Sequence, residues 1–380
     1  MSEQPTVADV GVWASEVDVV GERIGRHVAR SEPRGRAVAY LRGLLSDVER
    51  KNGWQLAERA GDDTPYGVQH LLGRADWDPD AVRDELTGYV HEHLGDPDAV
   101  LVVDETGFVK KGTKSVGVKR QYTGTAGRVE NAQVGVLLAL AGRHGHAVLD
   151  RALYLPEEWA ADADRREAAG VPEGVTFATK PALAGHMLER AWGAGVKAAW
   201  VTADAVYGQD PKLRRVLGKQ GQSYVLAVPC QYPVGAGDAR ARVDTLVTGL
   251  GAGAWHRASA GDGSKGPRWY DWAALPVGEP GADGRCTWVL CRRHRERPDE
   301  RAYYLCWGPS GTGWEQLVRV AGRRWSVEEC IARAKGECGL DRYEVRSWTG
   351  WHRHITLSLL ALAVLAVVRT RVGAPEGGRR

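Results

Sequence analysis

The chain has 380 residues, 43% of them hydrophobic, and a formal net charge of +3. That length and apolar content support two or three cooperative units with sizeable cores and exclude a disordered or low-complexity chain. A charge of +3 neither establishes nor excludes nucleic-acid binding, which draws on local patches of phosphate-neutralising side chains.

Residues 1 to about 96 read as helical. Trp13, Val17, Val20 and Ile24 recur at spacings of three and four, as do Val38, Leu41, Leu44, Leu45 and Val48, with Ser31-Glu32-Pro33 as a helix start between them. WQLAERAG and TPYGVQHLLG, separated by Gly61-Asp62-Asp63, resemble a helix-turn-helix or, equally, two packed helices with a capped turn.

From about 97 the pattern changes to strands. AVLVVD (99–104), GVKRQYTG (117–124) and AQVGVLLALAG (132–142) suggest an antiparallel meander, with the basic loop Lys110-Lys111-Gly112 after the first strand. LDRALYLPEEW follows, where Asp150 reads as a turn residue. Next come a helix from Pro181 to Gly193, the strand AAWVTAD ending at Asp204, the helix PKLRRVLGKQG and the strand SYVLAVP.

A carboxylate at the end of a buried strand lies at the rim of a sheet, which makes Asp104 and Asp204 candidate site residues. Glu105 should point to the opposite face of its strand and is left out. Tyr207 is equally readable as a DNA contact or as a residue packed on its own domain.

Residues 235–315 are glycine-rich and polar at VGAGDARARVD and SAGDGSKGPRW, whereas WYDWAALPV, RCTWVLCRR and RAYYLCWG read as strands. A mostly β insertion is expected there. In RRWSVEECIARAKGECGL, Val327, Ile331, Ala334 and Cys338 make one apolar stripe, and Arg324, Glu328 and Lys335 make a second beside it. Glu329 lies about 100° further round, toward solvent. The periodicity therefore selects Glu328 as the third acid.

Ile355 to Val368 is an apolar run of 14 residues, short of the roughly 20 of a membrane span; a buried C-terminal helix and no membrane partner are expected. The six cysteines form no C-x-x-C pair and there is no leader-like N-terminus, so reduced thiols and a cytoplasmic, nucleoid-associated location are expected. The tail 373–380 reads as frayed.

Three strands, a helix, a strand, a helix and a strand is the element order of the ribonuclease-H-like fold. Arg324-x3-Glu328-x6-Lys335 resembles the tyrosine, arginine, glutamate, lysine signature of bacterial insertion-sequence DDE transposases, and VVDETG and VTADAVYG extend the resemblance over about 97–370. The signature's tyrosine falls on Ala321.

The resemblance implies an α/β chain in which a ribonuclease-H-like core, a mixed five-stranded sheet with helices, spans 97–234 and 316–372. A β insertion interrupts it at 235–315, and a helical DNA-binding domain precedes it at 1–96. It implies a metal-dependent transposase that cuts transposon ends and joins them to target DNA. Asp104, Asp204 and Glu328 would hold two Mg2+, with Mn2+ able to substitute, and Arg324 and Lys335 would hold DNA phosphates. Partners would be double-stranded DNA and a second copy of the chain, as a dimer or higher assembly on DNA. In such proteins the insertion can place an aromatic side chain against a flipped base, for which Trp269, Trp272, Trp288 and Trp307 are candidates, although for any one of them a core position is the favoured reading. A DNA-binding regulator without catalysis and a nuclease that cuts without joining are the alternatives.

Overall fold

A computed structural model describes residues 7–235, 240–263 and 266–372, without side chains for 7–10, 12 and 13. The expected tail 373–380, part of the VGAGDARARVD segment and the side chain of Trp13 lie outside the described residues. Five helices open the chain: α1 Val7–Gly25, α2 Ser31–Leu44, α3 Gly53–Arg59, α4 Tyr66–Gly73 and α5 Pro79–Leu94. Then follow β1 Val100–Val109, β2 Lys119–Thr123, β3 Arg128–Gly142 and β4 Gly145–Tyr154. Helices α6 Glu157–Ala161, α7 Ala163–Ala169 and α8 Lys180–Gly193 lead to β5 Trp200–Ala203, α9 Ala205–Gly208, α10 Pro211–Lys219 and β6 Ser223–Val228. After the short β7 Pro233–Val234, the insertion holds β8 Ala241–Arg242, α11 Val243–Thr248, β9 His256–Gly263, β10 Gly266–Pro276, β11 Arg285–Arg293 and β12 Arg301–Pro309. Two long helices, α12 Trp314–Cys338 and α13 Trp348–Val372, close the described chain.

One sheet organises the molecule. Its order is β2-β3-β1-β5-β6-β12-β11-β10-β9, with β4 also on β3. Within it, β4-β3-β1-β5-β6, with β5 parallel to both β1 and β6 and β3 antiparallel to β1 and β4, is the ribonuclease-H-like arrangement. Burial on both faces explains the unbroken apolar runs of β1 and β3, since helices cover each side.

Two expectations are corrected. The meander's third principal strand is Gly145–Tyr154, and GVKRQYTG supplies only the short β2, paired with Arg128–Ala132. Asp150 is thus a strand residue and not a turn residue. Its strand was hard to read because Asp150 and Arg151 place buried charges where a strand would show apolar side chains. The core sheet, moreover, does not stop at five strands: β12 pairs with β6, Tyr303 against Val228 to Trp307 against Tyr224, so the insertion's β12, β11, β10 and β9 extend it to nine, and β2 on β3 is the tenth. β9 lies largely in the segment taken for a polar loop.

The N-terminal helices share the core of α13. Arg353 on α13 donates to the carbonyls of Ala75 at 2.6 Å and Trp77 at 2.7 Å, and Tyr40 on α2 is hydrogen-bonded to His354 Nδ1 at 2.8 Å. At 25 residues α13 has the length and composition of a membrane span, yet 72% of its most apolar window is buried inside the protein, as for a core helix. The six cysteines are free thiols, four of them buried.

Candidate functional site

Asp104 and Asp204 are brought together by strand register. β1 and β5 run parallel, pairing Val100 with Trp200 through Val103 with Ala203, so the two aspartates occupy the next position on adjacent strands. Neighbouring strands lie about 4.8 Å apart. The parallel pairing ends there, while β1 continues against β3 to the pair Val109 and Ala132. Asp104 is therefore inside its strand and not at the end of it, and it faces a rim that opens because β5 stops. Asp204 turns the chain into α9, its Oδ1 accepting from Val206 N at 2.8 Å as N-cap. Only glycine fits at Gly208, the last residue of that single turn, because a Cβ would fall 1.9 Å from the carbonyl oxygen of Ala227.

The third acid arrives on α12, which reaches about 37 Å at 1.5 Å per residue and stops at Gly339, whose φ of +64° suits glycine. Arg324 stands between the acids. Its Nη1 lies 3.2 Å from Asp104 Oδ2 and its Nη2 donates to Glu328 Oε1 at 2.7 Å. Glu329 is turned aside and lies 3.5 Å from His146.

Burial pushes the Asp104 carboxyl up to about 7, against the opposing charge of Arg324 and the amide of Glu105, with Asp204 and Glu328 adding to the rise. Asp204 is also raised, by burial first and then by the charge of Glu105. The guanidinium of Arg324 is raised in turn: burial would lower it, but Asp104 and Glu328 outweigh that.

Arg324 and Lys335, expected on phosphates, are engaged within the protein. Lys335 Nζ donates to Gly107 O and to Thr125 Oγ1, both at 3.0 Å. Burial lowers its proton affinity. Among the described residues no three His, Cys, Asp or Glu side chains converge tightly enough to hold a metal ion, since Arg324 fills the space between Asp104 and Glu328. The donor set nevertheless suits a hard divalent cation. Its groups are carboxylate oxygens, and the raised proton affinities of Asp104 and Asp204 mark a place where added positive charge is stabilising.

Glu105, left out on grounds of strand alternation, does point away from Arg324, yet it is tied to the second aspartate. Its Oε2 accepts from Tyr207 OH at 2.7 Å, and Lys180 at the start of α8 pairs with it. Tyr207 is fully buried, so it packs on its own domain and not at the surface. The signal available in the sequence was the consecutive acids Asp104-Glu105, with a tyrosine three residues past Asp204.

Of the four tryptophans, only Trp269 is open, at 50% exposure. Trp272 and Trp288 are buried, and Trp307 stacks on Tyr224 under the guanidinium of Arg285. In the helix-turn-helix-like pair, Trp54 and Tyr66 are exposed.

Comparison with known proteins adds two findings. A family model described as DDE superfamily endonuclease matches residues 23–256, which include Asp104 and Asp204 but not Arg324, Glu328 or Lys335. A probable transposase for insertion sequence element IS701 from Microchaete diplosiphon is 30% identical over 196 residues. That alignment covers 50% of this chain and 48% of the relative, so the chain spans about half the length of the curated protein it matches.

Proposed function

From the membership of this chain in the DDE superfamily of endonucleases, which implies dependence on a divalent metal, we propose that it is a transposase that cleaves transposon DNA ends and joins them to target DNA. The carrying observation is the register that leaves Asp104 and Asp204 side by side where β5 ends.

In this reading Asp104, Asp204 and Glu328 are the metal-holding acids, for two Mg2+ or for Mn2+ in their place. The bound cations would supply Lewis acidity and charge neutralisation at the attacked phosphate. Asp104 and Asp204 offer oxygen donors on a rigid sheet, and Glu328 is positioned by α12. Arg324 neutralises the acid cluster in the free protein and is close enough to turn onto a phosphate when the acids find another cation. Lys335 fastens α12 to the β1 backbone beside the site and holds a second phosphate.

Hydrolysis breaks one P–O bond and leaves a 3′-hydroxyl. In joining, that hydroxyl's oxygen bonds to a target phosphorus as the target's own 3′ oxygen leaves, so no energy-carrying cofactor is needed. The helical segment 1–96 is proposed to bind double-stranded DNA and segment 235–315 to shape the transposon end, with 97–234 and 316–372 as the catalytic core. Two paired ends call for at least a dimer on DNA, acting in the cytoplasm at the nucleoid.

The test is incubation of the purified protein with Mg2+ and a DNA fragment carrying the gene's own flanks, beside Asp204→Asn. Cleavage at the flank boundaries that needs both metal and Asp204 is expected. Specific binding with no cleavage in Mg2+ or Mn2+ would overturn it in favour of a DNA-binding regulator, a reading that the closed Arg324 bridge and Ala321 at the signature's tyrosine position favour. Cutting without joining would reduce it to a nuclease.

A further inference from the structure

Behind α12, on the side away from Glu328, lies a groove rich in arginine. Counting 100° per residue, Arg323 and Arg333 project about 140° from Glu328 and Arg319 about 180°. Two adjoining cavities meet at Arg143, in the β3–β4 turn. One, of about 360 Å3, is lined by Arg143, His144, His146, Arg333 and Arg369 with Glu329. The other, of about 160 Å3, is lined by Arg143, Arg319 and Arg323 together with Asp96 and Asp98.

The acids there are few and mostly engaged. Asp96 accepts from Arg143 N at 2.7 Å and from Asp98 N at 2.8 Å, Glu329 lies by His146, and Arg333 holds Glu337. Among the described residues, Arg143, Arg319, Arg323 and Arg369 have no carboxylate within ion-pair distance; Arg143 reaches only His144 and Arg319 only Gln316. The field is felt locally: burial first, and then Arg333, Arg369 and Arg323, lower the proton affinity of His146 against the pull of Glu329.

Four uncompensated guanidinium groups from three elements, converging on a concave surface, are suited to phosphate oxygens. None of the large exposed apolar side chains among the described residues lines the groove. A protein interface would be expected to supply such a centre, whereas backbone recognition of DNA needs none.

We propose that this groove holds the phosphate backbone of the target duplex flanking the joined phosphate, which itself must reach the acids on the other side of α12. The inference rests on the transposase reading for the identity of that duplex. It predicts sequence-independent, salt-sensitive binding.

The test compares wild type with Arg143→Gln/Arg319→Gln/Arg323→Gln/Arg369→Gln and with the matching Arg→Lys set. Folding is checked by thermal melting, and the probe is a 40-base-pair duplex of unrelated sequence titrated from about 50 to 200 mM salt. The glutamine set should reduce the slope of log affinity against log salt by about 3 to 4. It should also cut joining of a pre-cleaved end into a plasmid at least tenfold, and leave metal-dependent cleavage of the gene's own flanks within about twofold, as the groove is remote from the acids. The lysine set should retain most binding.

An unchanged slope with unchanged joining would overturn the proposal. So would a change in oligomeric state with DNA binding intact, which would assign the groove to a second protein copy. If wild type cleaves nothing while the slope still drops, the groove stands as a DNA site and the catalytic reading is what fails.

Discussion

Asp150 in β4 and Asp104 in β1 are both buried carboxylates beside arginine on one sheet, but the donors around them differ. Asp150 Oδ2 accepts from Arg190 at 2.8 Å, and Oδ1 accepts from Arg151 N at 2.7 Å with Arg83 and the Arg151 guanidinium at 3.6 and 3.7 Å. Arg151 is in turn held by Thr356 at 2.8 Å and Asp80 at 2.9 Å. Asp104 has one arginine at 3.2 Å and one backbone amide at 2.8 Å, and it shares its rim with Asp204 and Glu328. A buried charge whose lone pairs are all answered belongs to the scaffold. One that is crowded by its own kind and half answered is poised to take a cation.

The largest effect that could break this contrast is on stability at Asp150. Asp150→Ala removes the buried one of the two anions that Arg83 and Arg151 share, leaving the more exposed Asp80, and breaking such a cluster costs about 3–5 kcal/mol. Urea unfolding of the variant should show a midpoint lowered accordingly. A loss under about 1 kcal/mol would mean that Asp80 and Thr356 suffice to hold the arginines, and the contrast would fail on its scaffold side.

At Asp104 the sign reverses. Its folded-state carboxyl is raised to about 7, whereas an unfolded aspartate titrates near 3.9. The folded chain therefore retains a proton that the unfolded chain has released. The stability contribution is complete below about pH 4 and is lost as pH rises to about 7. Ionising the group in the metal-free fold costs up to about 4 kcal/mol. In chelator, Asp104→Asn should melt above wild type at pH 7.5, by a margin that shrinks toward pH 4.5, and Mg2+ should raise the melting temperature of wild type but not of the variant. An Asn variant less stable than wild type at pH 7.5 would mean that Arg324 fully compensates Asp104, as in an ordinary ion pair.

The same two residues explain what could be read from the sequence. Apolar runs that end in an acid made β1, β5 and the pair Asp104 and Asp204 legible, because a strand covered on both faces needs an unbroken apolar run and a polar rim breaks it. The α12 stripe was legible from a 3.6-residue period, and β11 was legible from Arg285 to Arg293 because its central residues are apolar. β4 was not, since its Asp150-Arg151 pair hides a buried strand behind charged letters. The continuation of the sheet into the insertion was not legible either: the pairing of β12 with β6 joins residues some 80 positions apart, and no local pattern encodes it. Nor did spacing reveal that Arg324 would close on Asp104 and Glu328, which depends on how α12 lies across the sheet.

The smallest expected effect sharpens the contrast from behind the site. Tyr207 belongs to the turn that Asp204 caps, and its hydroxyl donates to Glu105, the neighbour of Asp104. One hydrogen bond thus links the backbones that carry both aspartates, and Lys180 holds the same carboxylate. Tyr207→Phe keeps the ring in its buried slot and should cost only about 1 kcal/mol of stability. Through Glu105 and the α9 turn the Tyr207 hydroxyl helps to hold in place the two aspartates proposed to bind metal, and loss of such an outer positioning group typically weakens metal binding about 10-fold or more. The Mg2+ concentration for half-maximal cleavage should therefore rise about tenfold, with the rate at saturating Mg2+ recovering most of its wild-type value. If stability falls but the Mg2+ dependence does not move, the Tyr207 hydroxyl serves packing alone, and Glu105 belongs with Asp150 on the scaffold side.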